Sequence, residues 1–388
     1  MPAFAPRSRG TRHRQRGQPS SEVRLTPPLE SRDVPSVAPF LGRPSWPLDA
    51  VQRDFLQAVA SKFEHGIYHW ELVPECLCGS RSATQIADRD RFGIPIGVVV
   101  CRDCGLLRTT PRLAACDLGA FYRDDYHGLH FGVPSPQPNA TLFRGGQGSR
   151  IYHIVRDALP AGELRVAEVG AGTGQVLRGF ERAAVDDGRT AMAFGCDLSA
   201  AYAQAGRSVG TLIEQGGPSS LAAHAPFDVV ILSHVVEHFA DPVRELLSIR
   251  EMLSADGVAY IEVPGVFAIH RSRGYAYNLG DYLTLAHLYH FTLESLTAVA
   301  GMAGYSIVRG DQDACAVFRP GTVQRPPQAV LADEVIRYLR QVQRSPRLRL
   351  KRGMMAARRA ALSAARMVLG RHRYERVKAA LRSGEGEP

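Results

Sequence analysis

A glycine-rich turn between a short apolar strand and a helix constrains the fold of this chain most strongly. The predicted strand 165–169 is followed by Gly170, Ala171, Gly172, Thr173 and Gly174, where a helical pattern begins. Glycines let the backbone turn tightly and approach a ligand without a side-chain clash. Such turns hold nucleotide-like ligands in open α/β sheets. The G-x-G-x-x-G fingerprint of dinucleotide enzymes is incomplete here, because Gln175 stands at the third glycine.

Strand and helix patterns alternate from about residue 150 onward. The predicted strands are Arg165–Val169, Ala191–Cys196, Thr211–Ile213, Phe227–Leu232 and Val258–Val263. The predicted helices are Gly174–Ala184, Ser199–Arg207, Pro242–Leu253 and Thr292–Ala303. This alternation predicts a parallel sheet with helices on both faces. Two further strands, Tyr305–Arg309 and Ala314–Arg319, are too close in sequence for a parallel crossover, so we expect an antiparallel hairpin.

A carboxylate follows the second predicted strand. Asp197 lies 27 residues after Gly170, where such a side chain can accept hydrogen bonds from both ribose hydroxyls of a ligand. The alternative is a helix N-cap, although Ser199 is better placed for that role.

Four sequence segments together resemble the class I S-adenosylmethionine (SAM)-dependent methyltransferases. They are E-V-G-A-G-T-G, G-C-D-L-S, S-H-V-V-E-H with its D-P, and L-S-A-D-G-V-A-Y-I-E-V-P, in family order over roughly 150–320. The resemblance implies an α/β fold with a Rossmann-like seven-stranded sheet whose last strand is antiparallel. It implies a SAM site formed by Glu168, Gly170, Ala171, Gly172, Thr173, Gly174, Asp197, Leu198, Ser233 and His234. We expect Glu168 to face the positively charged methionine part of SAM and His234 to line the cofactor or the acceptor. Glu237 and His238 are expected to anchor their loop by hydrogen bonds.

Two cysteine pairs precede this region. Cys76 and Cys78 form a C-x-C pair, Cys101 and Cys104 form a C-x-x-C pair, and a glycine follows each pair. Two such knuckles suit a structural zinc ion with four thiolate ligands. The alternative is four free buried thiols.

The cysteine region is similar to the N-terminal zinc-binding region of a methyltransferase subgroup that acts largely on sugars, including sugar C-methyltransferases. The segment 122–126 continues the likeness, and we expect Tyr126 to close over the methyl site. In the segment 286–292, His287 matches the basic histidine of a Glu-His pair and is our candidate general base, but Ala286 replaces the glutamate. The alternative for His287 is a capping or packing role. The large C-terminal domain of the sugar C-methyltransferases is missing. The loss of the glutamate at Ala286 favours O- or N-methylation over C-methylation.

The remaining chain is divided by composition. We predict a disordered basic extension over 1–45, a helix with the zinc module over 46–145, the SAM-binding domain over 146–320, and a linker with a basic helical tail over 321–388. The formal charge of +9 comes from the tail, because residues 329–382 hold 15 Lys and Arg against 3 Asp and Glu. The tail is a candidate for contact with an anionic membrane surface or a partner. The alternative is a solvated helix packed loosely on the core.

These features favour a cytoplasmic enzyme that methylates a sugar, nucleotide-sugar or glycan precursor, with peripheral contact to the inner membrane surface as an option. An RNA methyltransferase is an alternative, although the cysteine module has few paired aromatic residues for base stacking. Natural-product methylation and a non-enzymatic zinc-ribbon interaction protein are further alternatives.

Overall fold

The computed structural model describes residues 44–45, 48–133, 145–324, 331–357 and 361. The predictions for the N-terminal extension up to residue 43 and for the tail from residue 362 onward lie outside these residues. Among the described residues, no helix is long and apolar enough to cross a membrane.

The first helix, α1 (Ala50–Glu64), begins at a capping box. The Asp49 side chain accepts a hydrogen bond from the Gln52 backbone N–H, and the Gln52 side chain accepts one from the Asp49 N–H. The N-cap Asp49 therefore sets the start of the helix at Ala50.

The cysteine region consists of short strands and two small helices. They are β1 (Trp70–Glu71), β2 (Ala83–Ala87), β3 (Val98–Cys101), β4 (Leu107–Thr109), β5 (Arg112–Leu113), α2 (Leu118–Asp124) and α3 (Tyr126–Phe131). Strand β3 begins only at Val98, although the apolar run starts at Ile94. The residues before it form a turn in which the Asp90 carboxylate accepts hydrogen bonds from the N–H groups of Phe92 and Ile94.

The second half of the chain alternates as predicted. Its elements are α4 (Gly145–Val155), β6 (Leu164–Val169), α5 (Gln175–Asp186), β7 (Ala191–Asp197), α6 (Ala200–Ser208), β8 (Leu212–Gln215), β9 (Phe227–Ser233), α7 (Pro242–Arg250), β10 (Leu253–Glu262), α8 (Leu279–Tyr282), β11 (Tyr289–His290), α9 (Leu293–Met302), β12 (Tyr305–Asp311) and β13 (Cys315–Pro320). Helix α7 ends before the predicted Leu253, because β10 begins at that residue.

A seven-stranded sheet in the order β12-β13-β10-β9-β6-β7-β8 forms the centre of the molecule. Strands β6 to β10 of this sheet pair in parallel, whereas β13 pairs antiparallel with both β10 and β12. Helices α4 and α5 pack on one face and α7 and α9 on the other, each over a buried apolar cluster. The predicted fold class, the Rossmann-like class I methyltransferase sheet with an antiparallel last strand, is confirmed.

The cysteine region and the central sheet region share secondary structure. Strand β11 pairs antiparallel with β4, which gives a four-stranded sheet in the order β11-β4-β3-β2. The Thr109 N–H donates to the Leu288 carbonyl, and the Thr109 hydroxyl donates to the His287 carbonyl. The segment that carries His287 is therefore fixed by the cysteine region.

The C-terminal helix α10 (Leu331–Arg344) also packs against the cysteine region. Its buried side chains join the apolar cluster of α1 and β3, and they are Ala332, Val335, Ile336, Leu339 and Val342. Residues 346–357 continue in helical conformation. The loose packing considered for this segment is wrong for α10, because one face of the helix is fully enclosed.

Candidate active site

The glycine turn lies between β6 and α5, as predicted. Gly170, Gly172 and Gly174 have φ angles of 70°, 55° and 72°, in the left-handed region that side chains disfavour. At Gly174, a Cβ atom would also lie 2.6 Å from Cγ2 of Thr211. The turn therefore needs glycine both for its backbone angles and for its close approach to the chain before β8.

Asp197 holds the glycine turn from the end of β7. Its carboxylate accepts hydrogen bonds from the Gly172 N–H at 2.9 Å and from the Ser199 N–H at 2.8 Å. Burial raises the pKa of Asp197 from its usual value. Ser199 caps α6 by accepting a hydrogen bond from the Tyr202 N–H, which confirms its predicted N-cap role. Leu198, between these two residues, has a 52% exposed side chain.

The other residues of the predicted SAM site surround the same turn. Glu168 is buried near the end of β6, and Thr173 and Ala171 are buried within the turn. Ser233 ends β9, and its hydroxyl accepts a hydrogen bond from the Gln147 side chain at 2.7 Å. The predicted cofactor residues thus lie at the carboxyl ends of β6, β7 and β9, the edge where open α/β sheets bind ligands.

His234 has a strained backbone directly after β9. Its φ is 57°, and its N–H donates to the Glu262 carbonyl at 2.7 Å. A non-glycine residue in this region costs free energy and is found most often at functional sites. The ring lies between two carboxylates, with Nδ1 3.6 Å from Glu237 Oε1 and Nε2 3.3 Å from Glu262 Oε1. Burial alone would lower the pKa of His234, but the two carboxylates outweigh burial and raise the pKa to about 9. The ring is therefore a hydrogen-bond donor at neutral pH.

Helix α4 supplies two polar side chains to this region. The Gln147 side chain donates to Glu262 Oε1 at 3.1 Å, and Arg150 forms a salt bridge with the same carboxylate. Burial would raise the pKa of Glu262, but hydrogen bonds from His234, Tyr260 and Arg150 lower it to about 2. Glu262 is therefore an ionised centre. The sequence analysis missed both α4 residues, because α4 precedes every motif of the sheet.

A cavity of about 650 Å³ opens beside His234 and Glu262. Its wall is formed by α4, the loop after β10 and the β12–β13 hairpin, and includes Arg150, Gly265, Arg271, Tyr275, Asp311 and Asp313. Arg271 forms a salt bridge with Asp313 at 2.5 Å. The cavity wall therefore carries positively charged hydrogen-bond donors and negatively charged hydrogen-bond acceptors, which suits a polar substrate.

His287 and Tyr126 belong to a group of rings that pack edge-to-face around His238. The ring of His287 lies 4.9 Å from the ring of His238, and the ring of Tyr126 lies 6.3 Å from the ring of His238. Burial, with the nearby histidines, holds the pKa of His287 well below its usual value. The ring is therefore neutral at physiological pH.

His238 has the predicted anchoring role, whereas the Glu237 side chain does not. His238 Nδ1 lies 2.9 Å from the Ala286 carbonyl and 2.7 Å from the Tyr122 hydroxyl. Glu237 anchors the loop only through its backbone carbonyl, which accepts a hydrogen bond from the Leu288 N–H. Its carboxylate makes no hydrogen bond within the described part of the chain. The residue before His287 in the sequence is Ala286, which has no carboxylate. In the folded chain, the carboxylate of Glu237 lies within 4.8 Å of a His287 ring nitrogen instead.

The four cysteines form one compact cluster. Cys76 Sγ lies 3.6 Å from Cys104 Sγ, and Cys78 Sγ lies 3.6 Å from Cys101 Sγ. All four sulfur atoms lie within 4.8 Å of one another. A disulfide requires about 2.05 Å, whereas sulfur ligands of a tetrahedral zinc ion are about 3.8 Å apart for a Zn–S bond of about 2.3 Å. The donor set and its spacing fit zinc.

Parts of the chain are similar to known methyltransferases. Residues 141–309 match the family model described as a methyltransferase domain. The plantazolicin methyltransferase BpumL, solved with SAH and a desmethyl substrate analogue, is 16% identical with a TM-score of 0.30, over 34% of this chain and about half (52%) of that chain. The methyltransferase CcbJ from Streptomyces caelestis is 15% identical over 52% of this chain and 98% of that chain, with a TM-score of 0.36.

A SAM-dependent methyltransferase from Clostridium acetobutylicum is 10% identical over 47% of this chain and 94% of that chain, with a TM-score of 0.35. No curated protein matches the chain. The strand order and the glycine turn define the class, a class I methyltransferase fold. The family-model match places a methyltransferase domain, which is an enzyme domain, over residues 141–309.

Proposed function

We propose that the protein transfers the methyl group of SAM to a hydroxyl or amine of a sugar, nucleotide-sugar or polysaccharide precursor. The observation that carries this proposal is the cavity beside His234, which is large enough for a sugar ring and lined by charged and polar side chains. Carbohydrates are recognised by many hydrogen bonds, and a wall with Arg150, Arg271, Glu262 and Asp313 supplies both donors and acceptors.

When bound, SAM supplies a methyl group on a positively charged sulfur, which is a good leaving group. The protein then has to hold the acceptor in line with that methyl group and remove its proton. In this proposal, the glycine turn, Glu168 and Asp197 bind the cofactor. His234 donates a hydrogen bond toward the acceptor, and the neutral ring of His287 is the general base that receives the acceptor proton. Tyr126 shields the reacting atoms from water.

We also propose that Cys76, Cys78, Cys101 and Cys104 bind one Zn²⁺ ion. Four protein ligands fill a tetrahedral site, so the ion would stabilise the fold rather than react. Three of the four cysteines are buried beside the core of the central sheet.

Methyl transfer can be tested with SAM labelled in its methyl group. We expect label in sugar nucleotides or in a glycan fraction, and loss of that label in Asp197→Ala. A matched control is Glu214→Ala, which removes an exposed carboxylate from the neighbouring strand β8. Among the described residues, this carboxylate forms a salt bridge with His224. No label in any sugar or glycan fraction, or label only in an RNase-sensitive fraction, would refute this acceptor class.

A further inference from the structure

Three side chains with metal-binding atoms converge beside the candidate acceptor cavity. Glu237, His238 and His287 each offer one ligand atom, and these atoms lie within 4.8 Å of one another. Glu237 and His238 belong to the turn after β9, and His287 belongs to the loop before β11. The fold therefore brings together residues about 50 positions apart in sequence.

Glu237 is buried without a hydrogen bond to its charge. Its side chain is 2% exposed, and neither carboxylate oxygen has a hydrogen-bond partner among the described residues. The ring nitrogens of His234 and His238 lie 3.6 Å and 3.9 Å from Oε1, beyond hydrogen-bond length. Burial of a carboxylate is costly unless it is hydrogen-bonded and paired, or coordinates a metal. The His234 ring compensates this charge from 3.6 Å without a hydrogen bond, so both carboxylate oxygens keep lone pairs for a further ligand.

His238 is oriented as a metal-ligating histidine is. The tautomer with its hydrogen on Nδ1 fits the Ala286 carbonyl at 2.9 Å, which can only accept, and the Tyr122 hydroxyl at 2.7 Å, which can accept as well as donate. In the neutral ring, the lone pair is then on Nε2, the nitrogen that lies 3.9 Å from Glu237 Oε1. Metal-bound histidines usually donate their second N–H to a carbonyl or a carboxylate in this way. His287 Nδ1 is also buried with no hydrogen-bond partner in the described part of the chain.

We propose that Glu237, His238 and His287 bind one divalent transition-metal ion of the Zn²⁺ type. Imidazole and carboxylate ligands suit such ions. Ligand atoms of a tetrahedral zinc ion are about 3.4 Å apart, given Zn–N and Zn–O bonds of about 2.1 Å, so the 3.9 Å separation needs only a small side-chain adjustment. Three protein ligands leave a coordination position open, where an acceptor oxygen would become more acidic, so with the ion bound His287 would be a ligand and not the general base. The use of the ion rests on the proposed function, whereas its binding does not.

Cobalt(II) is a suitable probe, because its visible spectrum distinguishes the two metal sites. The full-length protein is prepared with zinc in the cysteine cluster and dialysed against a mild chelator, and Co²⁺ is then titrated. We expect one equivalent of Co²⁺ to bind with ligand-field bands but no thiolate charge-transfer band. Equilibrium dialysis with elemental analysis gives the affinity, and no methyl acceptor is needed.

Variants assign the bound cobalt to the three residues. Glu237→Gln and His287→Asn should each weaken Co²⁺ binding by more than about 100-fold, since loss of an outer partner alone costs 10- to 100-fold. Tyr122→Phe, which removes the hydroxyl beside His238, should weaken it about 10-fold and serves if the first two variants fail to fold. The control is His224→Asn, a histidine that stacks on Phe194 away from this site.

Two results would overturn the proposal. One is a wild-type protein that takes up no cobalt beyond the cysteine cluster, and the other is a folded Glu237→Gln variant that binds cobalt as wild type does. Failure of methyl transfer to sugars would leave the cobalt result unchanged. The two proposals can therefore fail separately.

Discussion

The close contact between α4 and α5 can be tested by replacing Gly148 with alanine. A Cβ atom at this position would lie 2.0 Å from the Val176 carbonyl oxygen and 2.6 Å from the Phe180 nitrogen. Both are backbone atoms of α5, so no side-chain rotation relieves the contact. Since Cβ atoms essentially never approach closer than 3.0 Å, the helices must move apart by about 1 Å at this point.

The expected loss of stability follows from two opposing effects. Overpacking of a closely packed contact costs about 1–3 kcal/mol, and the better helix propensity of alanine returns up to about 1 kcal/mol. We therefore expect Gly148→Ala to lower the free energy of unfolding by about 1–2 kcal/mol. The displacement should also loosen the contacts of Gln147 with Ser233 and of Arg150 with Glu262, because both side chains are on α4. SAM or acceptor affinity should fall with stability.

Urea unfolding of Gly148→Ala and Gly146→Ala, with wild type, separates packing from propensity. Gly146 lies on the same helix, and a Cβ there meets no atom within 4 Å. Gly146→Ala should keep or raise the free energy of unfolding, by at most about 1 kcal/mol. If both variants are equally stable, the contact of α4 with α5 is not as close as described and the reasoning is refuted.

Four further predictions concern other parts of the molecule. Asp197→Asn should weaken SAM binding, measured by calorimetry, by about 10- to 100-fold, because hydrogen bonds to a charged group are each worth about 1.5–3 kcal/mol. An unchanged affinity would exclude hydrogen bonding of Asp197 to the ribose hydroxyls of SAM. Tyr338→Phe should raise KM for the acceptor more than it lowers kcat. The reason is that the Tyr338 hydroxyl donates a hydrogen bond to the Phe267 carbonyl and accepts one from the His270 N–H, both in the loop that lines the cavity. An unchanged KM would count against this role. Burial raises the pKa of Asp90 to about 6. Protonation of Asp90 therefore favours the folded state below that pH, and this contribution to stability is lost as pH rises through 6. In urea unfolding, the free energy of unfolding of wild type minus that of Asp90→Asn should be about 1 kcal/mol larger at pH 5 than at pH 7. Cys104→Ser should lower the zinc content by elemental analysis and the unfolding temperature, and a variant that keeps both would refute the zinc cluster.

The sequence predicts the central sheet well because its signals are local. Each strand is a short apolar run, the turn at Gly170 follows the first strand directly, and Asp197 ends the next one. The antiparallel hairpin of β12 and β13 is predicted from the short connection between these two strands alone. The carboxyl ends of neighbouring parallel strands meet at one edge, so the placement of the cofactor residues follows from the strand order.

The acceptor side could not be predicted in the same way. Glu237 and His287 come together only because the loop before β11 is fixed against β4, and no periodicity reports such a contact. The roles of Gln147 and Arg150 depend on how α4 crosses the sheet edge. Helix α10 has a clear apolar stripe, but its sequence does not say which surface that stripe covers.

The pairing of β11 with β4 limits how this enzyme can diversify. In many enzymes, substrate preference changes through exchange or lengthening of surface loops, which leaves the scaffold intact. Here the segment with His287 leads into β11, the edge strand of the sheet of the cysteine region. Thr109 holds this segment through two hydrogen bonds. A change of acceptor therefore requires coordinated change in two distant stretches of the chain, and a chimera that exchanges only one of them would lose the register of the other.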